Sequence, residues 1–229
     1  MKKGKKIEVA VRMRPLIYEW EDGEAWDISE QASRVSSLPH AQALKQNSSI
    51  VGEEGPRRKS KVEQNNIYEF ACDYAFPSGH SNNHIYSRCC RQVVSEFLQG
   101  QHATIFMYGQ TTSGKTYTML GSGQTEGIII YSLKDIFEKH PGAGQLKISY
   151  LEIYNEQIND LLVEGSTNLK IIDENVVGLS SFNVTNIGEA LELLQEGEYQ
   201  RAYAEKRHHD HSSRSHTIFQ IVREASFRR

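Results

Sequence analysis

Residues 109–116 are the segment whose residue types and spacing most clearly imply chemistry. They read Gly-Gln-Thr-Thr-Ser-Gly-Lys-Thr and match the pattern G-x-x-x-x-G-K-[ST]. The two glycines allow the backbone to wrap closely around a phosphate group, so that successive N–H groups point inward. Lys115 would reach the β- and γ-phosphates, and the Thr116 hydroxyl would bind Mg²⁺. A chain of this length contains the pattern by chance about 1 time in 100. The segment therefore predicts binding of ATP or GTP with Mg²⁺, rather than a glycine-rich turn that binds nothing.

The elements on either side of this loop must hold it in place. Residues 103–108 are short, apolar on both faces and rich in β-forming residues, which predicts a buried central strand. Residues 117–120 are compatible with a helix. Further upstream, two parallel apolar rows predict a helix that begins at Ser81 or Asn82 and stops at Gly100. The rows are Ile85, Cys89, Val93, Phe97 and Tyr86, Cys90, Val94, Leu98. The adjacent cysteines fit core packing rather than redox chemistry.

The rest of the chain alternates strand and helix patterns without a repeat. Strands are predicted over residues 7–13, 146–154, 168–172 and 216–223. Residues 188–205 predict a helix with Leu191, Leu194 and Ala202 on one face. Residues 19–66 are polar and irregular, and we expect a long surface excursion with two short strands and solvated charge runs. This pattern predicts an α/β fold with a mixed central sheet and helices on both faces, in one domain over residues 1–229.

Composition excludes several classes of protein. The 229 residues are 38% apolar and 24% charged, with a net charge of −3. These values rule out a collagen-like, wholly disordered or membrane-embedded chain, and no apolar run approaches the ~20 residues of a membrane span. The lysines at the N-terminus precede no long apolar stretch, so a secretory signal is not expected. Three cysteines make no disulfide framework, which favours the cytosol or nucleus. The slight acidity argues against a dedicated nucleic-acid binder.

Four segments together resemble the kinesin motor domain. Residues 105–119 resemble its phosphate loop, and residues 11–16 (Val-Arg-Met-Arg-Pro-Leu) resemble its adenine-side R-x-R-P motif. Residues 149–162 are similar to its central strand and following turn, and residues 212–216 (Ser-Ser-Arg-Ser-His) to its switch I. The segments occur in the family's order over essentially the whole chain. Residues 150–156 and 213–219 look most like the centromere-associated kinesins.

This resemblance implies a P-loop NTPase-like fold and a microtubule-dependent motor ATPase of the cytoplasm and cytoskeleton. Its cofactors would be ATP and Mg²⁺ and its partner microtubules (tubulin), with no nucleic acid or membrane. By position, Arg12, Arg14 and Pro15 would border the adenine, with Tyr117 stacked near it. The phosphate-holding residues would be Gly109, Gln110, Thr111, Thr112, Ser113, Gly114, Lys115 and Thr116. Thr116 and Ser213 would bind the metal, Ser212 would orient the attacking water, and Arg214 would form the latch that closes switch I onto switch II.

The sequence also departs from the family pattern. His209 stands where switch I usually has Asn, and residues 127–131 (Gly-Ile-Ile-Ile-Tyr) lack the Pro and Arg common there. Imidazole cannot replace an amide as both donor and acceptor in the same geometry. No Asp-x-x-Gly follows His216, although a P-loop NTPase needs such an acidic element for its metal and γ-phosphate. We therefore expect a motor domain lacking its C-terminal third, truncated before switch II. Alone it would bind ATP weakly or not at all and would be inactive in hydrolysis, whereas the intact protein would dimerise through a coiled coil.

Three other interpretations compete with the motor. A non-catalytic, nucleotide-dependent binding module is the main alternative. A metabolic P-loop kinase is disfavoured, because the R-x-R-P and Ser-Ser-Arg-Ser-His segments have no place in it. A zinc site is conceivable at the cluster of His208, His209, Asp210, His211 and His216, which are ligand types that zinc accepts. Adjacent histidines rarely face one centre, so a nucleotide-gating loop is favoured by about fifteen to one.

Overall fold

The computed structural model describes residues 7–16, 26–37, 68–139, 146–207 and 214–223, with backbone only for 205–207. The chain divides into two compact units, Met1–Cys89 and Cys90–Arg229. Helices and strands alternate along both, which confirms the predicted α/β class. None of the helices in these described ranges combines the length and apolar character that a membrane span requires.

The first unit contains two small sheets. Its strands are β1 (Ala10–Arg12), β2 (Trp26–Ser29), β3 (Arg34–Ser37), β4 (Glu69–Ala71) and β5 (Tyr74–Phe76). Strand β1 pairs with β5 in parallel, and β2, β3 and β4 form an antiparallel sheet. Strand β1 confirms the predicted strand over 7–13 in a shorter form, and β2 and β3 are the two short strands expected within 19–66. Residues 17–25 and 38–67 of that excursion lie outside the described residues.

The helix predicted from Ser81 is present, with one difference. It consists of α1 (Asn82–Ile85), one turn of π-helix (Tyr86–Cys90) and α2 (Arg91–Leu98). The wider π turn shifts the angular position of every residue after it, so only one predicted row becomes fully buried. That row is Tyr86, Cys90, Val94 and Leu98, while Cys89, Val93 and Phe97 stay partly exposed. The helix stops as expected, since Gly100 has φ +87° and its N–H donates to the Phe97 carbonyl.

Ser81 caps this helix as predicted, because its hydroxyl accepts from the His84 N–H at 3.1 Å. We expect Ser81→Ala to lower the free energy of unfolding by about 1 kcal/mol, the usual contribution of a serine cap. Urea unfolding followed by circular dichroism measures this. Ser78→Ala, in the exposed turn before the helix, is the matched control and should change stability by less than about 0.5 kcal/mol. Equal effects of the two substitutions would contradict the capping role.

The second unit is built around one long strand. Its elements are α3 (Lys115–Met119), β6 (Gly121–Ser122), β7 (Thr125–Glu126), α4 (Ile128–Lys139), β8 (Leu146–Tyr154), β9 (Gln157–Asp160), β10 (Lys170–Ile172), β11 (Asn175–Val177), β12 (Phe182–Val184), α5 (Ile187–Arg207) and β13 (Ser215–Arg223). Strand β8 pairs antiparallel with β9, β12 and β13, and its pairing with β13 runs from Tyr154–Ser215 to Leu146–Arg223. The predicted strands over 146–154, 168–172 and 216–223 and the helix over 188–205 are all confirmed.

The core of this unit lies where β8 meets α5. Tyr150, Leu161 and Leu194 form its buried centre. Leu120, which precedes β6 in the sequence, and Ile129, which follows β7, pack against this centre. The chain that leaves α3 is therefore anchored on the core. The predicted face of α5 is partly wrong, because Ala202 is exposed and Leu191 only half-buried. Ala190, Leu194 and Gly197 are the buried positions, and at Gly197 a side chain would collide with the Tyr150 ring.

The prediction of a strand over residues 103–108 is wrong. The segment forms no strand, and the Phe106 and Tyr108 side chains are 69% and 96% exposed. A strand becomes buried only when neighbouring strands pair with its edges and other elements cover its faces. Among the described residues no strand pairs with this segment. The prediction that this segment is buried used its apolar composition alone, whereas burial also depends on the strands and helices around it.

Candidate nucleotide-binding site

The phosphate loop of residues 109–116 folds back tightly on itself. Gly109 and Gly114 have φ of +155° and +91°, conformations that glycine adopts without steric cost. A Cβ on Gly109 would lie 2.5 Å from Ser113 Oγ, so a side chain there would require the Ser113 side chain to move. The Ser113 N–H donates to the Gln110 carbonyl at 3.2 Å and closes the turn. The two glycines predicted to be needed for a phosphate cradle thus adopt backbone conformations that other residues rarely adopt.

Lys115 lies across this turn. Its Nζ donates to the carbonyl oxygens of Gly109 and Gln110, both at 2.8 Å. The ammonium is therefore held at the loop by backbone oxygens, although the stem of the lysine is flexible. A bound anion would offer the ammonium stronger, charge-assisted partners in place of these neutral carbonyls.

A residue missed by sequence reasoning, Thr118, fixes the start of α3. Its N–H and its hydroxyl both donate to the Gly114 carbonyl at 2.9 Å, and the residue is buried. This bond from a threonine to a carbonyl four residues earlier is a common helix pattern, so the spacing of Thr118 from Gly114 was the available signal. The neighbouring Thr116 and Tyr117 are exposed. Thr118 therefore has a structural role, whereas the exposed side chain of Thr116 is accessible to a ligand.

Of the predicted adenine-side residues, Arg12, Arg14 and Pro15 lie in the first unit and Tyr117 lies in the second. Arg12 has structural partners in the first unit. Its guanidinium donates to Asn82 Oδ1 at 2.7 Å and to the His80 carbonyl at 3.1 Å. Asn82 is fully buried, so Arg12 fastens β1 to the first turn of α1. Arg14 is half-buried and donates to the Pro15 carbonyl at 2.9 Å. Sequence reasoning assigned Arg12 a ligand role and missed this structural one.

A model of the kinesin motor domain matches residues 12–228 of the chain. The chain belongs to the kinesin motor domain family. The kinesin-like protein KIN-7I of Oryza sativa subsp. japonica is 36% identical over 229 residues, covering 96% of this chain and 17% of the relative. Human centromere-associated protein E is 37% identical over 183 residues, covering 72% of this chain and 7% of the relative.

The solved structures agree with this assignment. The structure of a fast kinesin matches this chain with a TM-score of 0.76 and 28% sequence identity. The match covers 94% of this chain and 59% of the kinesin chain. The chain thus spans less than two thirds of that kinesin and about a fifth or less of the curated relatives described above. The resemblance to kinesins and the kinesin fold are confirmed. Centromere-associated protein E is among the relatives, but KIN-7I is similarly identical, so the narrower class stays a prediction.

Switch I of this kinesin is only partly described. Ser212 and Ser213 lie outside the described residues, as do His208, His209, Asp210 and His211. Arg214 is described and exposed, immediately before β13. Of the predicted metal pair, the structure therefore places Thr116 but not Ser213. The roles of Ser212, Ser213 and Arg214 in this kinesin remain predictions.

The segment after the phosphate loop shows how its departure from the kinesin pattern is accommodated. Residues 127–131, which lack the Pro and Arg of the family, include the first turn of α4, and Ile128 is buried. Gly127 lies against the backbone of Leu120, where a Cβ would collide with it. Lys134 on α4 pairs with Glu126 at 2.6 Å, next to the β6–β7 hairpin. Apolar burial and this ion pair hold α4 at the end of the loop helix.

Proposed function

We propose that this chain is the nucleotide-binding part of a microtubule-dependent motor ATPase. The observation that carries the proposal is the tight turn of residues 109–116, with Lys115 held at 2.8 Å from the carbonyls of Gly109 and Gln110. Family membership supports it, because residues 12–228 match the kinesin motor domain. The substrate is ATP, bound with Mg²⁺, and the partner of the whole protein is the microtubule.

The loop residues divide the work of binding phosphate. The backbone N–H groups of the turn between Gly109 and Gly114 surround the phosphate oxygens, and Lys115 leaves the loop carbonyls to balance phosphate charge. Phosphoryl transfer needs mainly such positioning and charge neutralisation. Gln110, Thr111, Thr112 and Ser113 contribute through the backbone of this turn.

Hydroxyl groups in this chain are suited to Mg²⁺, which prefers oxygen ligands. The exposed Thr116 directly follows the lysine and would supply one ligand, with Ser213 supplying the second by its motif position. Bound Mg²⁺ neutralises charge on the β- and γ-phosphates. Ser212 is proposed to orient the attacking water, and Arg214 to latch switch I. Arg14, Pro15 and Tyr117 are proposed to border the adenine, and Arg12 to position β1.

In the whole protein, closure of switch I on ATP would be coupled to movement along microtubules. The protein would then act in the cytoplasm on the cytoskeleton, as a homodimer joined by a coiled coil. The 229 residues contain no Asp-x-x-Gly after His216 to sense the γ-phosphate. We therefore propose that this chain by itself binds ATP weakly and hydrolyses it negligibly.

A phosphate-release assay with and without microtubules tests this proposal. The 229-residue chain should show no microtubule-stimulated turnover, whereas a longer chain that includes an Asp-x-x-Gly strand should show it. Robust turnover by the 229 residues would contradict the requirement for that strand. No stimulation of the longer chain would contradict the motor itself.

The alternative, a non-catalytic nucleotide-dependent binding module, predicts a different pair of results. Such a module would sediment with microtubules in a nucleotide-dependent way, and the longer chain would still release no phosphate. The observation that favours this alternative is His209, which stands where switch I of kinesins usually has Asn. Sedimentation and phosphate release measured on the same preparation separate the two functions.

A further inference from the structure

Three potential metal ligands converge in the first unit, in residues that the motor function does not use. Glu30 lies in the turn between β2 and β3, His80 just before α1, and His84 within α1. Glu30 Oε2 is 3.3 Å from His80 Nε2, and Glu30 Oε1 is 3.1 Å from His84 Nε2. One ligand atom from each residue lies within 4.8 Å of the other two. All three side chains are partly buried.

The surrounding structure fixes the two imidazole rings. His80 Nδ1 lies 3.1 Å from the Pro77 carbonyl, and donation to that carbonyl leaves the lone pair on Nε2, the nitrogen that faces Glu30. The buried Phe76 ring contacts both histidines edge-on, with ring centroids 6.2 and 5.9 Å away. The Ser81 hydroxyl holds the backbone of His84. The rings are thus oriented by groups that take no part in ligation, as is typical of metal-binding histidines.

Glu30 is the anionic member of the cluster, and its two carboxylate oxygens face one imidazole each. Neutral imidazole and ionised carboxylate are the ligand states that a metal requires. Arg88 is the cation that would compete with it.

The distances suit a small tetrahedral ion. Zinc bonds of about 2.0–2.2 Å to nitrogen and oxygen place tetrahedral ligand atoms roughly 3.3 Å apart. Glu30 Oε2 lies 3.3 Å from His80 Nε2 and Glu30 Oε1 lies 3.1 Å from His84 Nε2, both close to that separation, and with one atom per residue the three ligand atoms lie within 4.8 Å of one another. Two histidines with one carboxylate form a known zinc ligand set that leaves one position for water.

We propose that Glu30, His80 and His84 bind one Zn²⁺ ion, which links the β2–β3 turn to the beginning of α1. This site is distinct from the cluster of residues 208–216 considered in the sequence. The two histidines have the H-x₃-H spacing of many zinc ligands, but Glu30 lies 50 positions before His80. Only the folding of the β2–β3 turn brings the carboxylate to the histidines.

Titration of the metal-free 229-residue chain with Zn²⁺ at neutral pH tests the site. Calorimetry should show one ion bound per chain, and Co²⁺ in its place should give the strong visible absorption of tetrahedral coordination. Each of the variants Glu30→Gln, His80→Gln and His84→Gln should weaken Zn²⁺ binding by at least about tenfold. Zn²⁺ should also raise the Tm of the unmodified chain and leave that of Glu30→Gln nearly unchanged.

Two controls make the outcome decisive. His102→Gln replaces an exposed histidine of the second unit and should keep full affinity. The double variant His209→Gln/His211→Gln removes the other histidine-rich segment and should also keep it. No binding of Zn²⁺, or binding lost only in that double variant, would overturn the proposal and leave the cluster as an ion pair. Circular dichroism of each variant without metal separates a lost ligand from a lost fold. No nucleotide enters the assay, so its result is independent of the proposed ATPase.

Discussion

Lys115→Ala should lower the affinity of this chain for ATP by about 10–150-fold, the largest effect we expect from a single substitution on binding. The reason is the loss of charged hydrogen bonds to phosphate, worth about 1.5–3 kcal/mol. In the structure its ammonium already lies at the turn of the loop, 2.8 Å from the carbonyls of Gly109 and Gln110. Equilibrium binding of a fluorescent ATP analogue, with and without Mg²⁺, measures the change.

The matched control is Lys170→Ala, which removes an exposed lysine at the start of β10. It should leave nucleotide affinity unchanged. Lys115→Arg keeps the charge but has a different shape, so it should recover only part of the affinity. Equal affinities for the unmodified chain and Lys115→Ala would show that residues 109–116 do not bind phosphate.

The largest effect on stability should come from Arg201→Met, which we expect to lower the free energy of unfolding by about 3–5 kcal/mol. Glu152 on β8 has a side chain only 2% exposed, and Arg201 on α5 is 11% exposed. Arg201 Nε lies 3.8 Å from Glu152 Oε1, and its Nη1 lies 3.7 Å from Glu198 Oε2. Removing the guanidinium leaves the Glu152 charge buried without this compensation, and a buried charge is costly.

A double variant tests that cause. Arg201→Met/Glu152→Gln removes both charges and should regain a large part of the loss, since replacing a whole buried pair is often nearly neutral. Gln200→Met, one position earlier on the same helix, controls for the change in side chain. Urea unfolding monitored by circular dichroism gives all four free energies. A loss below about 1 kcal/mol in Arg201→Met would contradict a stabilising role for the pair.

The same region shows why Tyr150 belongs to the core and not to any chemistry. Burial, together with the nearby Glu198 carboxylate, raises the pKa of Tyr150 well above its usual value. Its hydroxyl donates to Glu198, and its ring packs edge-on against Phe219 at 5.3 Å. A neutral tyrosine thus joins the apolar core of β8 and β13 to the charged groups of α5.

Much of the fold was readable from the sequence where the signal was local and long. Strand β8 matches its predicted bounds, and β13 differs from them by one residue, because runs of eight or nine residues rich in β-forming side chains indicate a strand strongly. The Ser81 cap and the Gly100 stop were also readable, since both depend on backbone conformation within one turn. The phosphate loop was readable for the same reason, because Gly109, Gly114 and Lys115 lie within eight consecutive residues.

Other features depended on groups that are distant in sequence. Residues 103–108 are largely apolar, yet Phe106 and Tyr108 are exposed, because burial of a strand requires partners that its own sequence does not specify. The buried face of α5 packs on the Tyr150 ring, which lies so close to Gly197 that a side chain at that position would collide with it. Arg12 looked like a ligand residue until its two bonds to the start of α1 were visible.

By itself the sequence determined the family, the nucleotide loop and most helices and strands, because those depend on the order and spacing of neighbouring residues. Only the tertiary structure decided which side chains are buried and that Glu30 meets His80 and His84. Such pairings bring together residues up to 54 positions apart. Spacing in the sequence carries no record of them, since each depends on how separate elements pack.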